Sequence, residues 1–162
     1  MEDCTICNRI ELAKKGDNPY LIEEFENSYF VVGDHQLYRG YSLLLLKEHV
    51  TELHQLPEKM FLGLMEELRV AGQAIEKTFM PDKMNYSCLG NSDPHVHWHL
   101  IPRYKRDGDW GELPWKKIRL EDKHLMDGMK AREMANQIRM NMEHPRMVRS
   151  PSHTSELRIL SG

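Results

Sequence analysis

The segment His95-Val96-His97-Trp98-His99-Leu100-Ile101 sets three imidazoles at strict alternation with apolar side chains. In an extended chain successive side chains point to opposite faces. His95, His97 and His99 therefore share one face, while Val96, Trp98 and Leu100 turn into a core. Three rings that donate, accept and change charge near neutral pH do nothing for packing. They suit a site that holds phosphoryl oxygens or chelates a metal, and residue type alone leaves both chemistries open. The preceding turn, Gly90-Asn91-Ser92-Asp93-Pro94, offers backbone amides and short polar side chains to the same ligand, and Pro102-Arg103 follows the strand. A second group opens the chain. Cys4-Thr5-Ile6-Cys7 has the gap that lets two thiolates reach one metal, and packed thiols fit the same spacing.

These residues need elements to hold them. Ile10, Leu12 and Ala13 follow the Cys-x-x-Cys at short spacing before Lys14-Lys15-Gly16, which reads as a short helix with basic residues in its last turn and a glycine stop. Residues 20–25 and 29–32 are β-prone runs that predict a hairpin, and 41–46 predicts a buried strand after Gly40. Met60, Phe61, Leu64, Leu68, Ile75 and Phe79 outline a long helix from Pro57 to Pro81. Strands follow over 84–90 and 95–101, then a loop over 103–115 in which Trp115 either stacks on a ligand or caps the edge of a core. Leu125, Met126, Met129, Met134, Ala135, Ile138 and Met142 mark a second amphipathic helix, its methionines read as core packing. Beyond Pro145 the composition predicts a disordered tail. Cys88 reads as a small core residue, and His35, His54, His124, His144 and His153 as solvated. Strands interrupted by one long helix, without regular βα alternation, indicate an α+β fold with an antiparallel sheet; a doubly wound parallel sheet is the alternative.

The chain has 162 residues, enough for one domain, with 22 Lys and Arg against 25 Asp and Glu. A formal charge of −3 speaks against a dedicated nucleic-acid binder. No apolar run reaches the length of a membrane span, and the acidic start is not a secretory signal. Three cysteines are too few for a disulfide framework and indicate a reducing, cytoplasmic setting.

The run His-φ-His-φ-His-φ-φ followed by Pro-Arg resembles the signature of the histidine triad (HIT) superfamily of nucleotide hydrolases and transferases. The resemblance extends from about Cys4 to Arg103. It takes in the Cys-x-x-Cys, Asp34 after an aromatic-apolar strand, Gly40 opening a strand that ends in Lys47-Glu48-His49, Asn85, and the Gly90-Asn91-Ser92 turn. It implies an α+β fold with an antiparallel sheet of about five strands, one long helix packed on it and a C-terminal helical extension. The expected organisation is a catalytic domain over 1–115, the extension over 116–144 and the tail over 145–162. The implied activity is hydrolysis of a nucleoside 5′-oligophosphate of the diadenosine polyphosphate type, releasing a nucleoside monophosphate. Phosphorolysis or transfer, phosphoramidate hydrolysis, and nucleotide binding with little turnover are the alternatives. By the resemblance His97 attacks the α-phosphorus, His99 donates to phosphate oxygens and His95 completes the catalytic set. Asp34 holds the ribose hydroxyls, Asn91 and Ser92 contact the phosphates or leaving group, and Asn85 is a further substrate contact. Cys4, Cys7, His49 and His95 correspond to a Cys2His2 structural zinc site, with no organic cofactor. A homodimer joined across the long helix and a sheet edge is implied, with neither nucleic acid nor membrane as partner. Two positions depart from the pattern: Tyr41 follows Gly40 where many members carry His, and Asn91 stands where Gln is usual.

Overall fold

The computed structural model describes residues 4–16, 18–120 and 125–143. Its elements run α1 (Thr5–Lys14), β1 (Leu21–Glu24), β2 (Ser28–Val32), β3 (Ser42–Leu46), a 3-10 turn (Leu53–Gln55), α2 (Glu58–Phe79), β4 (Lys83–Cys88), β5 (His97–Arg103), α3 (Pro114–Leu120) and α4 (Gly128–Met140). The strands form a five-stranded sheet in the order β1-β2-β3-β5-β4. Every pairing is antiparallel, which excludes the parallel alternative.

The alternation in each strand divides the fold into two layers. Phe30, Val32, Leu44, Leu46 and Leu100 face the main core with Leu64, Val70, Ala74 and Ile75 of α2. Tyr29, Val31 and Leu45 face the other way and pack on Ile6, Ile10 and Ala13 of α1. Register then places the triad: Leu45 lies opposite His97 and Leu43 opposite His99. The two rings therefore join the α1 layer, while Trp98 packs into the core behind them. A shift of one residue would exchange these faces.

The helices begin and end where local chemistry directs. Gly16 takes φ +76 just past α1, and Met80 takes φ 49 before Pro81 closes α2. Asp127 caps α4 through its side chain, accepting from Met129 N at 2.9 Å and Lys130 N at 3.4 Å. Ala135 and Ile138 of α4 are buried in the main core, so this C-terminal helix is part of the same hydrophobic unit as the sheet. Among its methionines Met134 packs against that core, whereas Met129 and Met140 are exposed. Among the described residues no helix is long and apolar enough to cross a membrane.

Two expectations are corrected. The segment before Trp115 is not all loop: α3 starts at Pro114, a residue suited to a first helical turn, and carries Trp115. Its seven residues are too few to show a period. The triad strand runs from His97 to Arg103, so His95 precedes it. The expected tail, with His144 and His153, and His124 lie outside the described residues.

One buried carboxylate joins α2 to the β1–β2 turn. Glu67 is 4% exposed. It accepts from Asn27 N at 2.8 Å, Asn27 Nδ2 at 2.8 Å and Ser28 Oγ at 2.6 Å. Glu67→Ala should strand these donors and lower unfolding stability in urea by about 2–3 kcal/mol; a loss within error of zero would contradict this role.

Candidate active site

Protons in the cleft are fixed from one end. His97 Nδ1 lies 2.6 Å from the main-chain oxygen of His95. A carbonyl oxygen only accepts, so Nδ1 carries the hydrogen, and the lone pair of neutral His97 is on Nε2. That Nε2 is 3.1 Å from His99 Nε2, which must therefore donate. His99 Nδ1 is left as an acceptor for the Tyr41 hydroxyl at 2.7 Å. Desolvation, followed by the neighbouring His97 charge, pulls the pKa of His99 down to about 3, so this ring is neutral at pH 7. The departure at position 41 thus replaces an imidazole with a phenol that donates to the third triad ring.

The rings open onto a cleft of about 310 Å³, a size that suits a small ligand. Leu43 and Leu45 lie along its sheet side, Thr5, Ile6 and Arg9 come from α1, and Trp115 and Ile118 from α3. Trp115 stands edge-on to His99 with ring centres 4.7 Å apart, and its Nε1 donates to Ser87 Oγ at 3.4 Å. Asp34 lines the cleft and is held at both carboxylate oxygens by the Arg9 guanidinium. A carboxylate so paired keeps further lone pairs for other donors.

His35, expected in solvent, is buried and stacks on Tyr41 with centres 4.8 Å apart. Its neighbours supply an aromatic surface that a polar loop sequence does not announce. Asn91 and Ser92 are exposed on the turn before β5 and do not line the cleft, whereas Asp93 does. Asn85 is half-buried on β4 opposite Ile101, outside the lining set. Arg9 was not singled out from sequence, and Asp93 stood there only as part of the polar turn before the strand. Arg9 follows Cys7 by two residues in a helix whose other face is apolar, and that was its available signal.

The remaining triad ring goes elsewhere. His95 is 1% exposed and its Nε2 donates to the carbonyl of Leu46 at 2.8 Å, leaving the Nδ1 lone pair free to bind. Burial lowers its pKa, against the opposing bond to the Leu46 carbonyl and with smaller contributions from His49 and His97. Nδ1 points at Cys4 Sγ (3.5 Å) and Cys7 Sγ (3.4 Å), and His49 Nδ1 is 3.3 Å from Cys7 Sγ. All four ligand atoms fall within 4.8 Å of one another. Zn–S near 2.3 Å and Zn–N near 2.0–2.1 Å at tetrahedral angles put S and N about 3.5 Å apart. The donor set and its spacing therefore fit a closed metal site, and the Leu46 carbonyl orients its histidine from behind. One alternating segment thus serves two centres, His95 at the cluster and His97 with His99 at the cleft.

The chain matches the family model "HIT domain" over residues 17–106. It is 27% identical over 114 residues to an adenylylsulfatase, HINT3, of Arabidopsis thaliana, covering 67% of this chain and 56% of that protein. It is 29% identical over 91 residues to the asymmetrical bis(5′-nucleosyl)-tetraphosphatase of Schizosaccharomyces pombe, covering 53% and 50%. The chain thus spans about half the length of these curated relatives. A zinc-bound histidine triad family protein from Mycobacterium smegmatis shares the fold, with a TM-score of 0.61 at 21% identity, covering 86% of this chain and 93% of that one. The family model covers more than half of the residues and ends just after the strand that carries the two cleft histidines, and on that ground the chain belongs to the HIT family.

Proposed function

We propose that the cleft transfers a nucleotidyl group from a nucleoside 5′-oligophosphate, of the diadenosine polyphosphate type, to His97 and then to water. The observation that carries this reading is the Nε2 lone pair of His97, directed into the cleft by the Nδ1–H···O=C bond to His95. Neutral imidazole is a competent nucleophile at pH 7, and a covalent route divides one hard displacement into two. In the first step Nε2 attacks the α-phosphorus and the bond to the leaving oxygen breaks, its electron pair leaving with that oxygen. His99 Nε2–H turns from His97 to a phosphoryl oxygen, where charge accumulates. In the second step water attacks the α-phosphorus, the P–N bond returns its pair to Nε2, and the water's proton passes to solvent. The product is a nucleoside monophosphate.

Asp34 is placed to accept the ribose hydroxyls, with Arg9 holding its carboxylate in orientation. The leaving group lies toward the exposed turn, where Asn91 and Ser92 meet it. A homodimer across the β4 edge and α2 suits the exposure of Tyr86 (43%) and Leu62 (58%). Free Cys4, Cys7 and Cys88 suit a reducing compartment such as the cytoplasm. The Cys4, Cys7, His49 and His95 cluster fits structural zinc, and a neighbour of the same fold is zinc-bound. Zinc would tie the start of α1 to His95, just ahead of β5.

His97→Ala should lower turnover of a dinucleoside polyphosphate roughly a thousandfold or more while leaving nucleotide binding in place; near wild-type turnover would refute the nucleophile. Asp34→Ala should weaken ribonucleotide binding by about 2 kcal/mol and the 2′-deoxy ligand by clearly less, in titration calorimetry. Equal losses would remove Asp34 from the sugar. Elemental analysis should find about one zinc per chain, lost in Cys4→Ser and in Cys7→Ser with a lower Tm and a smaller change in activity. Variants that melt like the wild type, from a protein without zinc, would leave the cysteines as packed thiols.

A further inference from the structure

Position 41 does more than fill space beside the triad. Tyr41 is 5% exposed, its main-chain oxygen accepts from Gly33 N at 2.9 Å and Gln36 Nε2 at 2.8 Å, and any side chain at Gly33 would overlap its ring. The ring lies nearly parallel to His99, 5° between planes, and stacks on His35. Its hydroxyl is thus delivered to His99 Nδ1 by packing from several sides.

Resting on the nucleotidyl-transfer reading above, we infer that Tyr41 is a positioning residue that locks His99 as a fixed Nε2–H donor, so that the enzyme accepts acid anhydrides of nucleoside 5′-phosphates and rejects phosphoramidates. Proton balance at His99 sets this preference. If His99 gave its Nε2 proton to a leaving atom it would become an imidazolate, unless Nδ1 took the hydroxyl proton of Tyr41. That second route creates a buried phenolate, and burial together with the Asp34 charge already pushes this hydroxyl upward. Protonating His99 in advance needs Nδ1 to become a donor, which reverses the bond to Tyr41 and leaves the phenolic proton to find another acceptor. The groups facing His99 are His97 on its own strand, Tyr41, His35, Trp115 and Asp93, and Asp93 alone favours its charged form. His99 therefore stabilises charge by donating a hydrogen bond and keeps its proton.

Leaving groups follow from this. When the α-phosphorus is joined to phosphate, sulfate or carboxylate, the departing oxygen takes the bonding pair and leaves as a stable anion without a proton. When it is joined to an amine nitrogen, that pair would form an amide anion, and departure needs a proton the locked ring does not release.

The test uses the full-length protein in two measurements. Nitrogen-15 NMR of wild type should show His99 with Nε2 protonated and Nδ1 bare but hydrogen-bonded, and Tyr41→Phe should keep that tautomer, which His97 sets, while the Nδ1 resonance shifts as it loses the hydroxyl donor. The second measurement is kcat across adenosine 5′-(aryl phosphates) of graded phenol pKa, with adenosine 5′-phosphoramidate added. Wild-type kcat should fall roughly tenfold per unit of leaving-group pKa, with the phosphoramidate at background. Tyr41→His, which restores a partner able to carry a proton, should flatten that slope and raise phosphoramidate turnover at least tenfold relative to the best aryl ester. A protonated Nδ1 in wild type, a shallow slope, or phosphoramidate hydrolysis at the rate of the aryl esters would overturn the proposal. A wild type that hydrolyses none of the series would instead overturn the nucleotidyl-transfer reading, and the tautomer measurement would still judge the lock.

Discussion

The carbonyl oxygen of His95 can only accept a hydrogen bond, and the protons of the cleft are ordered by that constraint. It claims the Nδ1 hydrogen of His97 and so exposes the opposite lone pair. His99 and Tyr41 then fall into line as donors in sequence. The oxygen is itself well placed, because the ring of the same residue is buried between the Leu46 carbonyl and the two thiols of α1. Main chain and side chain of His95 thus serve different centres a few ångströms apart.

The rest of the fold keeps this point rigid. β5 lies between β3 and β4, and its register with β3 sets His97 and His99 over Leu45 and Leu43. Behind the sheet, α2 and α4 fill one core, which leaves the front layer to α1, the cleft and α3. The helix α1 contributes to both centres. Its N-terminal thiols reach the cluster, while Arg9 at its next turn holds Asp34 at the cleft. Metal at the cluster would therefore steady the Asp34 end of the cleft through a single short helix.

Much of this was legible before any coordinates. Strict alternation from His95 to Ile101 told which rings share a face, since a period of two has one solution in a strand. The long helix was marked by its apolar spacing and by prolines at both ends. The Cys-x-x-Cys and the outlying His49 joined His95 only through the family resemblance, because ligands separated by half a chain have no local signal. That His95 lies ahead of the strand was hidden, as the pattern assigns a face and not a boundary. Arg9 and His35 were missed for a related reason: in a helix or polar loop, a charged or polar residue reads as solvated until tertiary packing closes over it. α3 escaped because one short turn with a tryptophan carries no period.

Phosphorus-31 NMR of ¹⁵N-histidine-labelled protein, quenched during turnover of a dinucleoside polyphosphate, addresses the central claim most directly. A nucleotidyl phosphorus coupled to a single histidine nitrogen, Nε2 of His97, with Nδ1 still protonated, is the expected result. Phosphorus on Nδ1, on His99, or on no histidine at all would contradict it.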